Sequence, residues 1–362
     1  MLLPELPDRL TALGGADYKG YILALFTLTA GMSRPFSGKL TDTIGRVPVM
    51  IFGAMVCVVC SLFYPITLTV FGFLLLRLLH GFSTGFKPTA TAAYTADLVE
   101  MHRRGEAMSA LGMSSSIGMS IAPVLGSALT LHLGFNFMCI ISALFALLSV
   151  MILVGTMRET LPNKQKFSIA LLKIKRADVF EPRAIAPFVV QFCGAFAYGV
   201  TLNLIPDLSK HLGIENKGLF FGVFTFSSLI IRLLLGKSSD KRGRVFVLRW
   251  SVLAMSGALV LTGVANTPFL FFLAAVVYGF SYGMNSPTLQ AWVIDLVADK
   301  NRGRGLATTF IALEAGIGIG ALMSQAIYNN VVSRIDLSFF VSAIVVFSGF
   351  IYLMFQKNVR ML

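Results

Sequence analysis

Eleven mostly apolar stretches of about 20 residues or more divide this chain, at 18–37, 48–66, 69–97, 106–131, 136–157, 184–208, 217–237, 245–265, 268–297, 305–329 and 337–356. A helix of about 20 apolar residues crosses the hydrocarbon of a bilayer with all its backbone N–H and C=O groups paired internally. The pattern therefore predicts an all-α polytopic membrane protein. Composition agrees, with 56% of residues hydrophobic and only 13% charged, where soluble domains run near about 25% charged. A soluble fold would have to wrap one very large core in too little polar surface.

The net charge of +13 would suit nucleic acid if it formed one solvated face. Its placement says otherwise. Of the 30 Lys and Arg, 21 fall in the turns around Gly38, Arg103, Lys164, Lys241, Arg302 and Lys357, which share one side. Five (Arg9, Lys19, Lys210, Lys217, Arg334) belong to the opposite loops, and Arg34, Arg77, Lys87 and Arg232 lie inside apolar stretches. The positive-inside bias makes the crowded side, and the C-terminus with it, cytoplasmic. Basicity here is orientation, and nucleic acid is not an expected partner. The four cysteines (Cys57, Cys60, Cys139, Cys193) all sit in apolar stretches and read as small buried hydrophobes, without metal-ligand spacing. The opening MLLPELPDRL lacks the basic leader and long apolar run of a signal peptide.

Sliding the sequence on itself by 198 residues exposes a repeat. Gly15, Lys19, Gly20, Phe26, Thr27, Arg34, Gly38, Lys39, Asp42, Gly45, Arg46 and Val47 recur as Gly213, Lys217, Gly218, Phe224, Thr225, Arg232, Gly236, Lys237, Asp240, Gly243, Arg244 and Val245. Asp97 recurs as Asp295, and Arg104-Gly105 as Arg302-Gly303. Such a repeat is a duplicated half, as in many secondary transporters. It divides the chain into an amino-terminal bundle (1–157), a cytoplasmic linker (158–183) and a carboxy-terminal bundle (184–362). The second half opens with a full apolar helix ending in Ile205-Pro206-Asp207, whereas the first has the matching Leu6-Pro7-Asp8 with almost nothing before it. Eleven full helices are thus expected where the symmetry calls for twelve, with the first truncated by a downstream start site or a fragment, or the chain a natural eleven-helix protein with its amino terminus outside.

These residues carry a resemblance. GKLTDTIGR (38–46) and its echo GKSSDKRGR (236–244) resemble the loop signature of the major facilitator superfamily. Arg77, Gly81 and Gly85 resemble its fourth-helix motif, Asp97 with Arg103-Arg104-Gly105 the loop that follows, and RETLP (158–162) the close of its sixth helix. The fifth-helix stretch Gly118–Gly126 departs from the glycine–proline motif of drug antiporters, because Ala122 precedes Pro123 and Ser127 follows Gly126. The resemblance, whose nearest flavour is bacterial efflux permeases, implies two six-helix bundles rocking about a central site lined by helices 1, 4, 7 and 10. It also implies that the loop cluster of Arg34, Gly38, Asp42, Gly45, Arg46, Asp97 and Arg104, with Gly236, Asp240, Gly243 and Arg244, latches the halves when the outer side is open.

Read from the residues alone, Arg34, Gly38 and Asp42 share a helix side. Gly38 would let backbones approach, and Asp42 would pair with Arg46 or Arg104 or cap a helix. The bland alternative is plain topology and a tight turn. A cation in mid-bilayer costs about 2.5–3.5 kcal/mol and so faces a cavity or a partner. Arg77, His80 and Lys87, with Thr84 and Thr91, fall within an arc of about 80° on helix 4 at 100° per residue, a polar wall for a cavity. Alternatively Arg77 bonds neighbouring carbonyls, Lys87 snorkels and His80 merely packs. Glu314, the chief intramembrane acid, is a candidate proton carrier, a substrate contact, or half of a fixed ion pair with, for example, Arg77 or Lys87. Gln325 continues its stripe on helix 11. Gln191 and Tyr198 on helix 7, and Tyr278, Tyr282 and Asn285 on helix 10, are candidate hydrogen-bonding groups or packing residues.

No phosphate-cradling loop, metal-ligand set or nucleophile elbow is evident, so catalysis and ATP-driven transport are disfavoured. KFSIALLKIKR (166–176) could lie on headgroups as an amphipathic helix or serve as a charged linker. The expected function is alternating-access transport of a small organic solute across the inner membrane. It would run as proton-coupled efflux in a lipid-embedded monomer that uses the proton gradient and no cofactor. Alternatives are a proton symporter or uniporter for an anionic or sugar-like solute, a non-transporting receptor or scaffold, or an inactive truncated product.

Overall fold

In a computed structural model, which describes residues 1–100, 104–161, 164–173, 180–235, 239, 242–297 and 302–356, the chain forms twelve α-helices. They are α1 (Leu6–Ala12), α2 (Lys19–Thr43), α3 (Arg46–Phe63), α4 (Val70–Asp97), α5 (Arg104–Leu133) and α6 (Phe135–Thr156) in the first half. The second half holds α7 (Ile185–His211), α8 (Leu219–Leu235), α9 (Arg244–Gly263), α10 (Pro268–Leu296), α11 (Arg302–Tyr328) and α12 (Ile335–Met354). Helices 2 to 12 follow the eleven apolar stretches. The expected remnant of the first helix is α1, a seven-residue helix far too short to span a bilayer.

Eight of the described helices are long and apolar enough to cross a membrane. Of the long helices, α2, α4 and α8 fall short of that measure, and they are the ones that carry Arg34, Arg77 with Lys87, and Arg232. The outward faces are oily, with Leu28, Met32, Phe71, Leu233 and Val154 exposed, the inversion of a water-soluble surface that lipid permits.

Within the first half α2 packs on α4, α4 on α3 and α3 on α6; the second half repeats this as α8 on α10, α10 on α9 and α9 on α12. The halves meet along two seams, α2 against α11 and α5 against α8. The largest departure from symmetry concerns α1. Its counterpart α7 is buried over 72% of its span against α11 and α12, whereas α5 and α6, beside the short α1, are buried over 17% and 22%.

One end of the bundle carries the α2–α3 and α8–α9 turns and is called the basic end; the distal end carries α1 and the α7–α8 turn. Gly45 and Gly243, 198 residues apart, precede α3 and α9 with φ of +125° and +90°, backbone that side-chain-bearing residues avoid. Glu159 closes the first of these turns. Its carboxylate accepts the Arg46 and Val47 N–H groups at 2.9 and 3.1 Å, satisfying orphan donors at the start of α3. Burial opposes the charge on Glu159, but the N–H groups of Leu161, Arg46, Val47 and Thr160 hold its carboxyl below the ordinary value. Gly38, by contrast, is not the close-approach point expected of it: a methyl group there would meet nothing within 4 Å.

The linker bonds to the end of α2 through Gln165 N–H to the Thr43 carbonyl (2.8 Å) and Lys39 Nζ to the Lys173 carbonyl (2.7 Å). Of the two readings of 166–176, an amphipathic helix or a charged linker, the described part holds only a short 3-10 turn at Ile169–Leu172; residues 174–176 lie outside the described residues.

Candidate functional site

The two seams are built to one plan. Gly20 of α2 meets the Ala321 carbonyl of α11, and a Cβ on Gly20 would stand 2.6 Å from that oxygen. Gly218, its counterpart 198 residues on, abuts the Pro123 carbonyl of α5, the counterpart of Ala321. Only glycine admits such backbone contact between spans. Midway along, Gly318 packs on Ala24 in the first seam, and Ser120 donates to the Gly222 carbonyl (3.2 Å) in the second. These positions again differ by 198.

At the distal end the repeated lysines cross between halves. Lys19 Nζ bonds both oxygens of Asp207 at 3.0 and 2.8 Å. Lys217 Nζ bonds Asp8 at 2.6 Å and Glu5 at 3.2 Å. Each lysine thus takes the aspartate of the other half, which a two-fold relation requires of both if it holds for one. Burial works against the Lys217 charge, but Asp8 and Glu5 hold its amine above the ordinary value. Gln325 belongs to the same closure, donating to the Ala16 carbonyl (3.3 Å), while Asn330 donates to Asp17 (2.8 Å). It lies at the distal seal, away from the middle of the span.

Deeper in the first seam, Arg34 donates to Glu314 at 2.7 Å, with side-chain exposures of 11% and 7%, and its guanidinium lies 4.6 Å from the Phe310 ring centroid. Glu314 therefore pairs with neither Arg77 nor Lys87, and Arg34 serves within the span instead of the basic-end loop cluster. Beside the pair a groove of about 560 Å³ runs between α2 and α11, with Gly31, Met32, Glu314 and Gly318 in its walls. Met32 is 65% exposed at its rim, so the groove opens toward lipid.

Helix 4 does not present one polar wall. Arg77 donates to the Ile22 carbonyl (2.9 Å) and the Tyr64 hydroxyl (3.4 Å) and lies 4.3 Å from the Phe26 ring centroid. His80 shares a hydrogen bond with Tyr64 (3.2 Å) and meets Phe26 edge-on. Both are locked within the first half. Lys87 turns instead to α6, donating to Ser149 at 2.8 Å. An arc of about 80° is wide enough to be divided between two neighbouring helices. The carbonyl-bonded alternative describes Arg77.

Helices 7, 8 and 10 gather an aromatic cluster. Tyr198 stacks on Tyr282 (5.5 Å) and Phe224 (6.0 Å), and Phe224 also packs on Tyr282 (5.4 Å) and Tyr278 (5.1 Å). Asn285 is buried facing Gly194 of α7, its Oδ1 unpartnered among the described residues. Gln191 is half-buried on α7. Tyr198, Phe224 and Thr225 line a cavity of about 390 Å³ that reaches Ser115 and Pro123 of α5.

At the basic end Arg46 donates to Asp42 (3.0 Å) and Asp97 (3.1 Å), and Thr160 also bonds Asp97 (2.7 Å). Arg244 repeats this with Asp295 (3.0 Å) and Ser239 (2.8 Å). These bonds all stay within one half. Gly236, Asp240 and the Arg104 side chain lie outside the described residues. Sequence reasoning used Lys19, Asp8, Lys217 and Asp207 only to mark the repeat, noted Arg232 as a cation within a span without giving it a role, and did not single out Glu5 or Glu159. Charged residues recurring just outside each half's second helix were the signal that could have found the distal pairs.

The sequence model of the Major Facilitator Superfamily matches residues 1–215 and 187–360. Multidrug resistance protein 2 of Bacillus subtilis is 26% identical over 328 residues, covering 86% of this chain and 81% of that protein. Multidrug resistance protein MdtG of Salmonella typhimurium is 25% identical over 343 residues, covering 90% and 84%. The crystal structure of the human organic anion transporter MFSD10 superposes with a TM-score of 0.74 at 20% identity, covering 97% of this chain and 94% of that one.

Proposed function

Because the chain belongs to the Major Facilitator Superfamily, and so is a multi-pass membrane transporter, we propose that it exports a small organic solute in exchange for protons by alternating access about the two seams. The observation that carries this reading is the Arg34–Glu314 pair, an acid and a base from different halves bonded within the span at 2.7 Å. A fixed scaffold gains little from such a pair, since desolvating both charges offsets most of their attraction. A moving seam gains a switch. Protonating Glu314 removes the carboxylate that holds Arg34, and the seam can then re-form around different partners.

The distal pairs set the other half of the cycle. With Lys19–Asp207 and Lys217–Asp8 made, the distal end is closed, while the Arg46–Asp97 and Arg244–Asp295 pairs at the basic end each stay within one half. With the basic end facing the cytoplasm, the closed distal end supports an inward-facing arm of the cycle. Opening outward breaks both reciprocal pairs and brings the clusters of Arg46 and Arg244 together. The names of the multidrug relatives support efflux. The protein acts as a monomer with no resident cofactor, and the proton gradient supplies the energy.

The test uses the full chain in vesicles loaded with a pH-sensitive dye and a solute selected because it stabilises the purified protein. Solute entry into the vesicles should drive proton movement the other way, and collapsing the pH gradient should stop accumulation. Solute flux indifferent to the gradient would contradict proton exchange.

A further inference from the structure

Four cations lie within the apolar spans, and three have settled surroundings. Arg34 holds a carboxylate, Arg77 a carbonyl, a hydroxyl and a ring face, and Lys87 a hydroxyl inside one bundle. Arg232 of α8 is different. It lies on the second seam, which moves in the cycle proposed above, and its one described bond is a long 3.3 Å contact from Nη1 to Ser116 Oγ of α5. Its Nε has no partner among the described residues, as is also true of Arg34 Nε and Arg77 Nη2; what sets Arg232 apart from those two arginines is that its one described bond goes to a hydroxyl.

The repeat explains the vacancy. Arg232 is the counterpart of Arg34, and Ser116 stands where the first seam has Glu314, 198 residues on. A hydroxyl replaces the carboxylate, so the second seam keeps the cation and lacks its counter-charge. A guanidinium away from water is unfavourable unless charge or several acceptors meet it. One serine oxygen does not do that.

The surroundings say what would. Thr225 precedes Arg232 by seven residues, two helical turns on the same face of α8, and it lines the 390 Å³ cavity with Tyr198 and Phe224. Tyr282 stacks on Tyr198 beside that cavity. Ser115 in the wall of that cavity adjoins Ser116, to which Arg232 bonds, so the aromatic-walled cavity and the cation touch neighbouring residues of α5. The planar fork of arginine matches a carboxylate in a two-point contact, and aromatic faces favour a flat apolar body.

Resting on the reading of the chain as a transporter, we propose that Arg232 and Ser116 receive the carboxylate of an aromatic organic acid whose ring system lies against Tyr198, Tyr282 and Phe224. Solutes without an acid group use the cavity without this contact.

The test uses the full chain in phosphatidylcholine nanodiscs, with 2-naphthoate and its neutral amide, 2-naphthamide, as probes. Arg232→Gln should weaken 2-naphthoate about tenfold or more, the usual effect of losing a charged hydrogen-bond partner, and leave 2-naphthamide unchanged. Ser116→Glu gives Arg232 the partner its counterpart has. It should raise the thermal stability of the protein and abolish 2-naphthoate binding. Equal loss of acid and amide in Arg232→Gln, or wild-type affinity for the acid in Ser116→Glu, would overturn the proposal. So would displacement of 2-naphthoate merely by changing to anionic lipid, which would assign Arg232 to a headgroup. Wild-type protein that ignores 2-naphthoate yet accumulates other solutes would refute the anion site and leave the transport reading intact.

Discussion

The α2/α11 and α5/α8 seams share their glycine contacts, distal lysines and arginine positions, yet among the described residues only the first encloses an acid–base pair within the span. Arg34 meets Glu314 at 2.7 Å, while Arg232 meets a serine at 3.3 Å. Duplication supplied two equivalent hinges, and one substitution on α11 or α5 made them chemically unequal. The lesson is that scaffold and function separate by symmetry here. What the halves share closes and opens the molecule; what they do not share is where a proton or a charged solute can be told apart.

The largest effect expected from breaking this contrast is at Glu314. Glu314→Ala strands a buried arginine and should destabilise the protein by about 3–5 kcal/mol, read by denaturant or thermal unfolding in detergent. Ser116→Ala, the equivalent change across the molecule, should cost about 1 kcal/mol or less. Similar losses at both sites would erase the contrast between the seams.

Next come the distal pairs, where the seams should behave alike. Lys19→Ala and Lys217→Ala each remove one reciprocal bridge, worth about 1.5–3 kcal/mol as charged hydrogen bonds, and should shift the molecule toward distal opening. Spin labels on α1 and the α7–α8 turn would report the separation. The charge swap that exchanges Lys19 and Asp207 should restore closure, and an unequal response of the two lysines would show that the distal symmetry is geometric only.

The smallest effect belongs to Glu159, which caps α3 in the first half. Glu159→Gln should cost about 1 kcal/mol. Because the folded protein holds this carboxyl below its ordinary value, its contribution is present above the ordinary carboxylate range and is lost as pH falls through the lowered value. A stability profile in acid that is the same for wild type and Glu159→Gln would contradict the cap.

Most of the fold was legible in the sequence, because span length and the 198-residue repeat are local or self-referential signals. The site was legible in part. Glu314 stood out as an acid among apolar residues, and Arg34 stood out within a motif. Their bond did not, because a repeat shows what is equivalent within each half and is silent on which half meets which. Arg77 and Lys87 misled for another reason. A helical wheel gives angles but not neighbours, and the neighbours of α4 divide that face between Ile22 and Tyr64 on one side and Ser149 on the other. Arg232 was visible as a cation within a span, but its oddity, a missing acid, appears only once the seams are laid over each other.

The central claim, that coupling resides in the first seam, is tested most directly by gradient-driven flux of Glu314→Gln in reconstituted vesicles. The isosteric change keeps a hydrogen-bond acceptor for Arg34 and removes the titratable group. For a solute without an acid group, downhill exchange should persist while accumulation against the pH gradient is lost, and Ser116→Ala should retain both. Undiminished gradient-driven accumulation by Glu314→Gln would contradict the account.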